Sequence, residues 1–380
     1  MKDFLLHIRS RIIWSVYQYV LKPVFFRLDP EDVHDHTVAL GAHLGKYALT
    51  RALTRGLFYY SDSMLVQDVL GVKFINPVGL AAGFDKNAEL TGILPSVGFG
   101  FVEVGSITGY PCAGNPKPRL WRLKKSKGLV VYYGLKNDGC EIISKRLSAK
   151  VRGGALSYLG CRVGTSVAMT NCAANVDYTT AILDYAKAFE AFDTIGSYFT
   201  INISCPNAEN GQPFLESRRL EALLTKLDMI PTTKPVFIKL SPDITLKNVD
   251  AILDVAKRHR VHGIICTNLT KKRNNARILD ANLPSHGGVS GLPVQGLSDD
   301  LIAHIYKREG KRFVLVGCGG IFSAEDAYRK IRLGASLVQL ITGMIFEGPQ
   351  LVSEINRGLV KLMKRDGYTH ISEVIGVDVR

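Results

Sequence analysis

Eight short apolar runs, set apart by turns and helix-patterned stretches, limit the folds open to this 380-residue chain. They are Pro77–Gly83, Phe101–Thr108, Leu156–Thr165, Tyr198–Cys205, Val236–Pro242, Gly263–Thr270, Phe313–Gly320 and Leu337–Gly343. Most are continuously apolar rather than alternating, as in parallel strands covered on both faces. Helical periodicity occupies Thr180–Phe192, Leu246–Arg258, Ala324–Leu333 and Gln350–Arg365. Strands alternating with helices in one block predict an α/β fold of the (β/α)8 (TIM) barrel type. A doubly wound sheet is the alternative, but no G-x-G-x-x-G follows the first run.

The barrel is expected over residues 61–380, preceded by a helical extension over 1–60. In residues 1–28, Phe4, Leu5, Ile8, Ile12, Ile13, Val16, Tyr17, Val20 and Leu21 recur at helical spacing, flanked by Arg9, Arg11, Lys22 and Arg27. A basic amphipathic helix of this kind lies in a membrane interface. Packing on its own protein is the alternative, and periodicity does not separate the two. Asp29-Pro30-Glu31 marks a second helix start, with Asp as N-cap and Pro at the first position, running through His34, Ala39, Leu40 and Leu44. A loose basic connection is expected from there to about residue 62. No apolar run reaches the roughly 20 residues that span a bilayer, and no signal-peptide pattern opens the chain. A peripheral membrane protein on the cytoplasmic, reducing side is therefore expected. The formal charge of +14 is spread along the chain without a long basic tail, which fits a basic surface better than nucleic-acid binding. Seven scattered cysteines with no C-x-x-C pair exclude zinc ribbons and cysteine-ligated iron–sulfur clusters, and no metal site is expected.

Barrel chemistry sits at the carboxyl ends of the strands. The fourth run ends in Asn202-Ile203-Ser204-Cys205-Pro206-Asn207, where two amides and a thiol crowd a buried strand end. Asn offers a donor and an acceptor on one planar group, suited to a cyclic amide or a flavin edge. Cys can exchange a proton with carbon when its surroundings adjust its acidity. An inert buried cysteine is the plainer reading, and the other strand ends weigh against it. They supply Ala82, Gly83 and Lys86; Ser106; Arg162 and Gly164; Lys239; Thr267 and Asn268; Gly319 and Gly320; Thr342 and Gly343. Gly319-Gly320, ahead of a helix starting near Ser323 and beside Thr342-Gly343, forms an anion site suited to a phosphorylated cofactor. Lys86 and Lys239 inside the barrel mouth call for anionic or strongly polar partners.

Several of these segments resemble dihydroorotate dehydrogenases: Asn76–Lys86, Gly114–Arg119, Asn202–Asn207, Gly287–Gly291 and Gly334–Leu340. The resemblance runs from about Leu28 to the C-terminus, and the N-terminal helices and Leu28–Glu31 are similar to the membrane-associated, quinone-linked class. It implies an FMN-containing barrel that oxidises dihydroorotate to orotate in pyrimidine biosynthesis and reduces a quinone. It further implies FMN contacts from Ala82, Gly83, Lys86, Ser106, Asn202, Lys239, Thr267, Gly291, Gly320 and Thr342, with Gly319 and Gly343 in the phosphate loops. Substrate contacts are implied for Lys86, Asn202, Asn207 and Asn268, the catalytic base for Cys205, and a place in the quinone tunnel for Arg122.

The chain departs from the family pattern at defined points. Cys205 stands where the quinone-linked class has Ser, Val131 and Leu269 stand where it has substrate-binding Asn and Thr, and Ile341 replaces a tyrosine. Arg162 is read as standing where a flavin-contacting Asn is expected. Lys86 and Arg162 are expected to lower the pKa of the Cys205 thiol. Lost hydrogen bonds at Val131 and Leu269 leave three readings: dihydroorotate oxidation; oxidation or reduction of another cyclic amide, lactone or enone; and a non-catalytic flavin- or membrane-binding barrel. A flavin barrel that modifies RNA is a weaker fourth, since no RNA-binding appendage follows the barrel.

Overall fold

The computed structural model describes residues 2–152, 159–173, 177–208 and 211–379. Eight parallel strands close into a barrel: β1 (Val78–Leu80), β2 (Phe101–Ile107), β3 (Arg162–Val167), β4 (Tyr198–Asn202), β5 (Val236–Leu240), β6 (Gly263–Cys266), β7 (Val314–Cys318) and β8 (Ala335–Leu340). They follow one another around the ring in chain order, and β8 pairs with β1. Each lies within or overlaps one of the expected runs. The third was expected at Leu156–Thr165 and runs instead from Arg162 to Val167; Leu156 falls outside the described residues.

Side chains alternate inward and outward along each strand. The inward set at the amino end is aromatic. Phe101, Tyr198 and Phe237 fill the base of the barrel, each ring lying against a glycine of an adjacent strand. A Cβ on Gly164 would stand 2.0 Å from the Tyr198 ring, and one on Gly263 would stand 2.3 Å from the Phe237 ring. A hairpin of Gln67–Val69 and Val72–Phe74 closes this end, with Phe74 edge-on to Phe101 at 5.3 Å. At the carboxyl end a three-stranded antiparallel sheet (Leu120–Leu123, Gly128–Val131, Gly288–Gly291) forms a wall.

The N-terminal extension is helical throughout. Helix α1 (Lys2–Val16) widens into a π turn at Tyr17–Leu21 and continues to Phe25. One face of it packs on the barrel: Tyr17 Oη donates to the Ile345 carbonyl at 2.6 Å, and Gln18 and Lys22 donate to the Phe346 carbonyl, each at 2.8 Å. The other face leaves Ile12, Val16, Tyr19, Val20 and Val24 in solvent. Helix α2 (Pro30–Leu44) begins as expected, with the Asp29 carboxylate accepting from the Glu31 and Asp32 amides. The stretch expected as a loose connection instead forms α3 (Ala48–Phe58). Leu49, Leu53 and Leu57 recur there at four-residue spacing, all exposed, and its residues favour a helix.

A buried ion pair fastens α2 to the barrel. Arg119 holds both oxygens of Glu31 at 2.8–3.2 Å and also donates to the Ala113 and Asn115 carbonyls. Burial works to raise the Glu31 pKa, but Arg119, together with Lys117 and Lys136, outweighs it and holds the carboxyl below its usual range. The pair's contribution is therefore present above the unfolded carboxylate pKa and is lost as pH falls through the lowered folded value. Arg119→Ala is expected to cost up to about 3 kcal/mol, because the enclosed Glu31 carboxylate keeps only the longer contacts to Lys136 at 3.4 Å and Lys117 at 3.7 Å. Urea unfolding at pH 7 measures this, and the wild-type advantage should shrink at acid pH.

Candidate active site

The carboxyl ends of the strands surround a cavity with about 1290 Å³ of empty space, part of it open to solvent. Lys86, Lys136 and Lys239 line it, and among the described residues no carboxylate does. A space walled by cations without a balancing acid suits an anionic ligand. Lys86 Nζ lies 4.0 Å from the centre of the Tyr133 ring, and burial pushes its pKa down to about 8. Neither Lys86 nor Lys239 donates a hydrogen bond to a described residue.

Amides and hydroxyls form a chain across the floor. Ser166 Oγ and Ser106 Oγ are 2.8 Å apart, Asn202 Nδ2 donates to Ser106 Oγ at 2.8 Å, and Asn268 Nδ2 donates to Asn202 Oδ1 and Ser204 Oγ, each at 3.1 Å. These bonds fix which way the amides present their free atoms. Asn207 Nδ2 donates to the Val131 carbonyl at 2.8 Å, while its Oδ1 is buried with no partner among the described residues.

Cys205 lines the same space, between these asparagines. Its acidity runs against the sequence expectation. Burial pushes the thiol up to about 11, and the amides of Asn207 and Ala208 and the charge of Lys271 offset only part of that. Lys86 leans over Tyr133 instead, and Arg162 lies elsewhere. Arg162 opens β3 at the amino end of the barrel, paired with Phe101, and its Nε donates to the Lys73 carbonyl at 2.8 Å. It is therefore not a cavity residue. Ser166, four residues along and about 13 Å higher, takes the corresponding place at the cavity end of β3.

Ala82, Gly83, Thr267, Gly291, Gly319, Gly320, Thr342 and Gly343 also border the cavity. Gly291, Gly320 and Gly343 have no room for a side chain. A Cβ on Gly343 would stand 2.0 Å from the Ile321 carbonyl, and one on Gly320 (φ +70°) would stand 2.3 Å from the Gln295 Cβ. Beyond Gly320 the helix Ala324–Arg332 starts as expected, capped by Ser323, whose Oγ accepts from the Asp326 amide at 3.2 Å. Arg122 lies outside the cavity, at the seam with the N-terminal helices, donating to the Leu28 carbonyl at 2.8 Å with its guanidinium 4.9 Å from the Phe26 ring centre.

Sequence reasoning missed His34, Tyr133 and Gln339, which also line the cavity. Gln339 carried a signal, as a lone amide inside the apolar run Leu337–Leu340. His34 did not: it reaches the cavity from α2, its Nε2 2.9 Å from the Phe84 carbonyl.

A family model described as dihydroorotate dehydrogenase matches residues 64–363. This chain belongs to the dihydroorotate dehydrogenase family. It is 40% identical over 370 residues to a protein of Natronomonas pharaonis named dihydroorotate dehydrogenase (quinone), covering 96% of this chain and 100% of that one. A protein of the same name from Acaryochloris marina is 37% identical over 378 residues, covering 95% and 99%. Among solved structures, DHODH from Eimeria tenella in complex with ferulenol superposes with a TM-score of 0.83 at 30% identity, covering 93% of this chain and 96% of that one.

Two outcomes are expected from this geometry. The iodoacetamide labelling rate specific to Cys205, taken as wild type minus Cys205→Ala, should rise about tenfold per pH unit between pH 7 and 9, since only the thiolate reacts. A plateau below pH 9 would contradict the raised thiol. Gly343→Ala should lower stability by about 1–3 kcal/mol in denaturant unfolding, because its Cβ has nowhere to go.

Proposed function

We propose that this chain oxidises dihydroorotate to orotate with FMN as prosthetic group and passes the electrons to a quinone, a step of pyrimidine biosynthesis. The observation that carries the reading is the convergence of the Cys205 thiol, the asparagine amides, Lys86 and Lys239 on one cavity. The full-length likeness to relatives named as quinone-linked supports it.

The residues fit FMN. Gly291, Gly319, Gly320 and Gly343, with Thr342, border the cavity, and backbone without side chains there suits close approach of a phosphate. Ala82, Gly83, Lys86, Ser106, Asn202, Lys239 and Thr267 would hold the ring system. When bound, FMN supplies a two-electron acceptor.

The protein's own part is orientation and proton transfer. Asn202, Asn207 and Asn268 present amide groups that orient a planar cyclic amide, with Lys86 for its carboxylate. Cys205 takes the proton from the carbon next to the one that is oxidised. It must first become a thiolate, so flavin reduction should speed up with rising pH across the neutral range.

The apolar cluster of Phe26, Leu120, Leu129, Ile345 and Phe346 lies between the cavity and α1. In this reading a quinone enters there, past Arg122. The exposed apolar residues of α1 and α3 rest on the membrane surface, on its cytoplasmic side. Among the described residues no helix is long and apolar enough to cross a membrane.

A second reading has its own observation. Val131 and Leu269 line the cavity as apolar groups, and the Asn207 amide is spent on the Val131 carbonyl. A site lacking these hydrogen bonds discriminates less in favour of orotate-like polarity. It favours a less polar cyclic amide, lactone or enone.

Anaerobic flavin bleaching across a substrate panel, with dihydroorotate first, decides between the two. Rapid bleaching by dihydroorotate is expected, and Cys205→Ala should slow it at least ~100-fold while FMN stays bound. Bleaching only by other substrates favours the second reading. No flavin absorbance after reconstitution with excess FMN would remove both. Deleting residues 1–28 should abolish vesicle binding and quinone turnover and spare flavin reduction.

A further inference from the structure

A carboxylate lies inside the barrel, one layer beneath the cavity. Glu103 is fully buried on β2. Its Oε2 accepts three hydrogen bonds, from Tyr198 Oη at 3.2 Å, Thr200 Oγ1 at 2.9 Å and Gln339 Nε2 at 2.9 Å. Its Oε1 bonds nothing among the described residues, and neither does Oε1 of Gln339.

All three donors are neutral. An enclosed acid held only by neutral groups is an expensive way to stabilise a barrel, and an apolar side chain of similar size would serve packing better. Its position suggests another use. Gln339 both holds Glu103 and lines the cavity, so the acid is one side chain from the ligand space. Thr200 lies two residues below Asn202 on β4 and faces the same way. Lys239, at the cavity, pairs in register with Asn202. Cys318 lies opposite Gln339 in register and lines the cavity together with Lys239.

We propose that Glu103 is a positioning residue that sets the charge beneath the prosthetic group, offsetting Lys239 and keeping the reduction potential of the bound flavin low. The proposal rests on the FMN reading above. Reduction places added electron density on the flavin, and in a low-dielectric interior a nearby carboxylate opposes that while a lysine favours it. Without Glu103, Lys239 acts unopposed.

The experiment uses the full-length, FMN-reconstituted protein and its Glu103→Gln, Glu103→Met, Glu103→Asp and Thr200→Val variants. The readouts are the midpoint potential, by anaerobic dye equilibration, and the sulfite dissociation constant. Glu103→Gln should raise the potential and tighten sulfite binding by at least about tenfold. Glu103→Met should do the same if Glu103→Gln does not fold. Glu103→Asp keeps the charge and should stay near wild type. Thr200→Val removes a neutral donor, so it should lower stability while leaving the potential in place. An unchanged potential in a folded neutral variant overturns the proposal, as does an equal shift in Thr200→Val. Loss of folding in both neutral variants with Glu103→Asp intact overturns it too, by assigning Glu103 to folding. A wild-type protein that takes up no flavin sinks the FMN reading itself, which separates the two failures.

Discussion

The continuous backbone ladder around the ring is the constraint on which the rest depends. β6 bonds to β5 on one side and to β7 on the other, with Ile265 opposite Lys239 and Val316. Because every pair is parallel, all eight carboxyl ends reach one rim. Because the pleat has a period of two, every second residue faces the axis at a set height. A slip of one residue on β5 would turn Lys239 out towards the helices and Ile238 into the mouth. The aromatic rings seated on glycines at the base oppose such slips, since each ring has only one gap that accepts it.

Above that base, the barrel sorts charge by height. The cavity wall carries lysines, the layer below carries an acid, and the pair Glu31–Arg119 stands to one side, closing the gap between α2 and the wall. Most amide and hydroxyl groups at the rim are bonded to one another rather than left waiting for a ligand. Such a network costs little to keep when the site is empty and little to reorganise when it fills.

The barrel was legible because strands buried on both faces leave long apolar runs, and runs at regular spacing between helices permit few architectures. The cavity was legible because the fold itself says which end of each run bears chemistry. The failures are equally physical. Small polar residues such as Ser166 sit inside strands as readily as in loops, so the end of β3 was placed too early and Arg162 was given a role that belongs higher up. The acidity of Cys205 depends on who stands near it in space: strand order put Lys86 on the cavity but not its lean over Tyr133, and it put Arg162 at the wrong end of β3. α3 was taken for a connection because its exposed leucines have no buried counterpart to mark a core-facing stripe. Glu103 and Gln339 stand as polar letters among apolar neighbours, but sequence reasoning passed over both, and their meaning appears only when the two are found bonded across the barrel.

The short helix Thr342–Glu347 touches two regions that are far apart in sequence. Its first residues, Thr342 and Gly343, border the glycine cradle, and the carbonyls of Phe346 and Glu347 at its last turn take hydrogen bonds from Gln18 and Lys22 of α1. Six residues form too stubby a rod to bend, so a push at one end arrives at the other. One six-residue element thus carries both the cradle and the contact with α1, and any free energy that links occupancy of the one to seating of the other is by linkage the same in both directions.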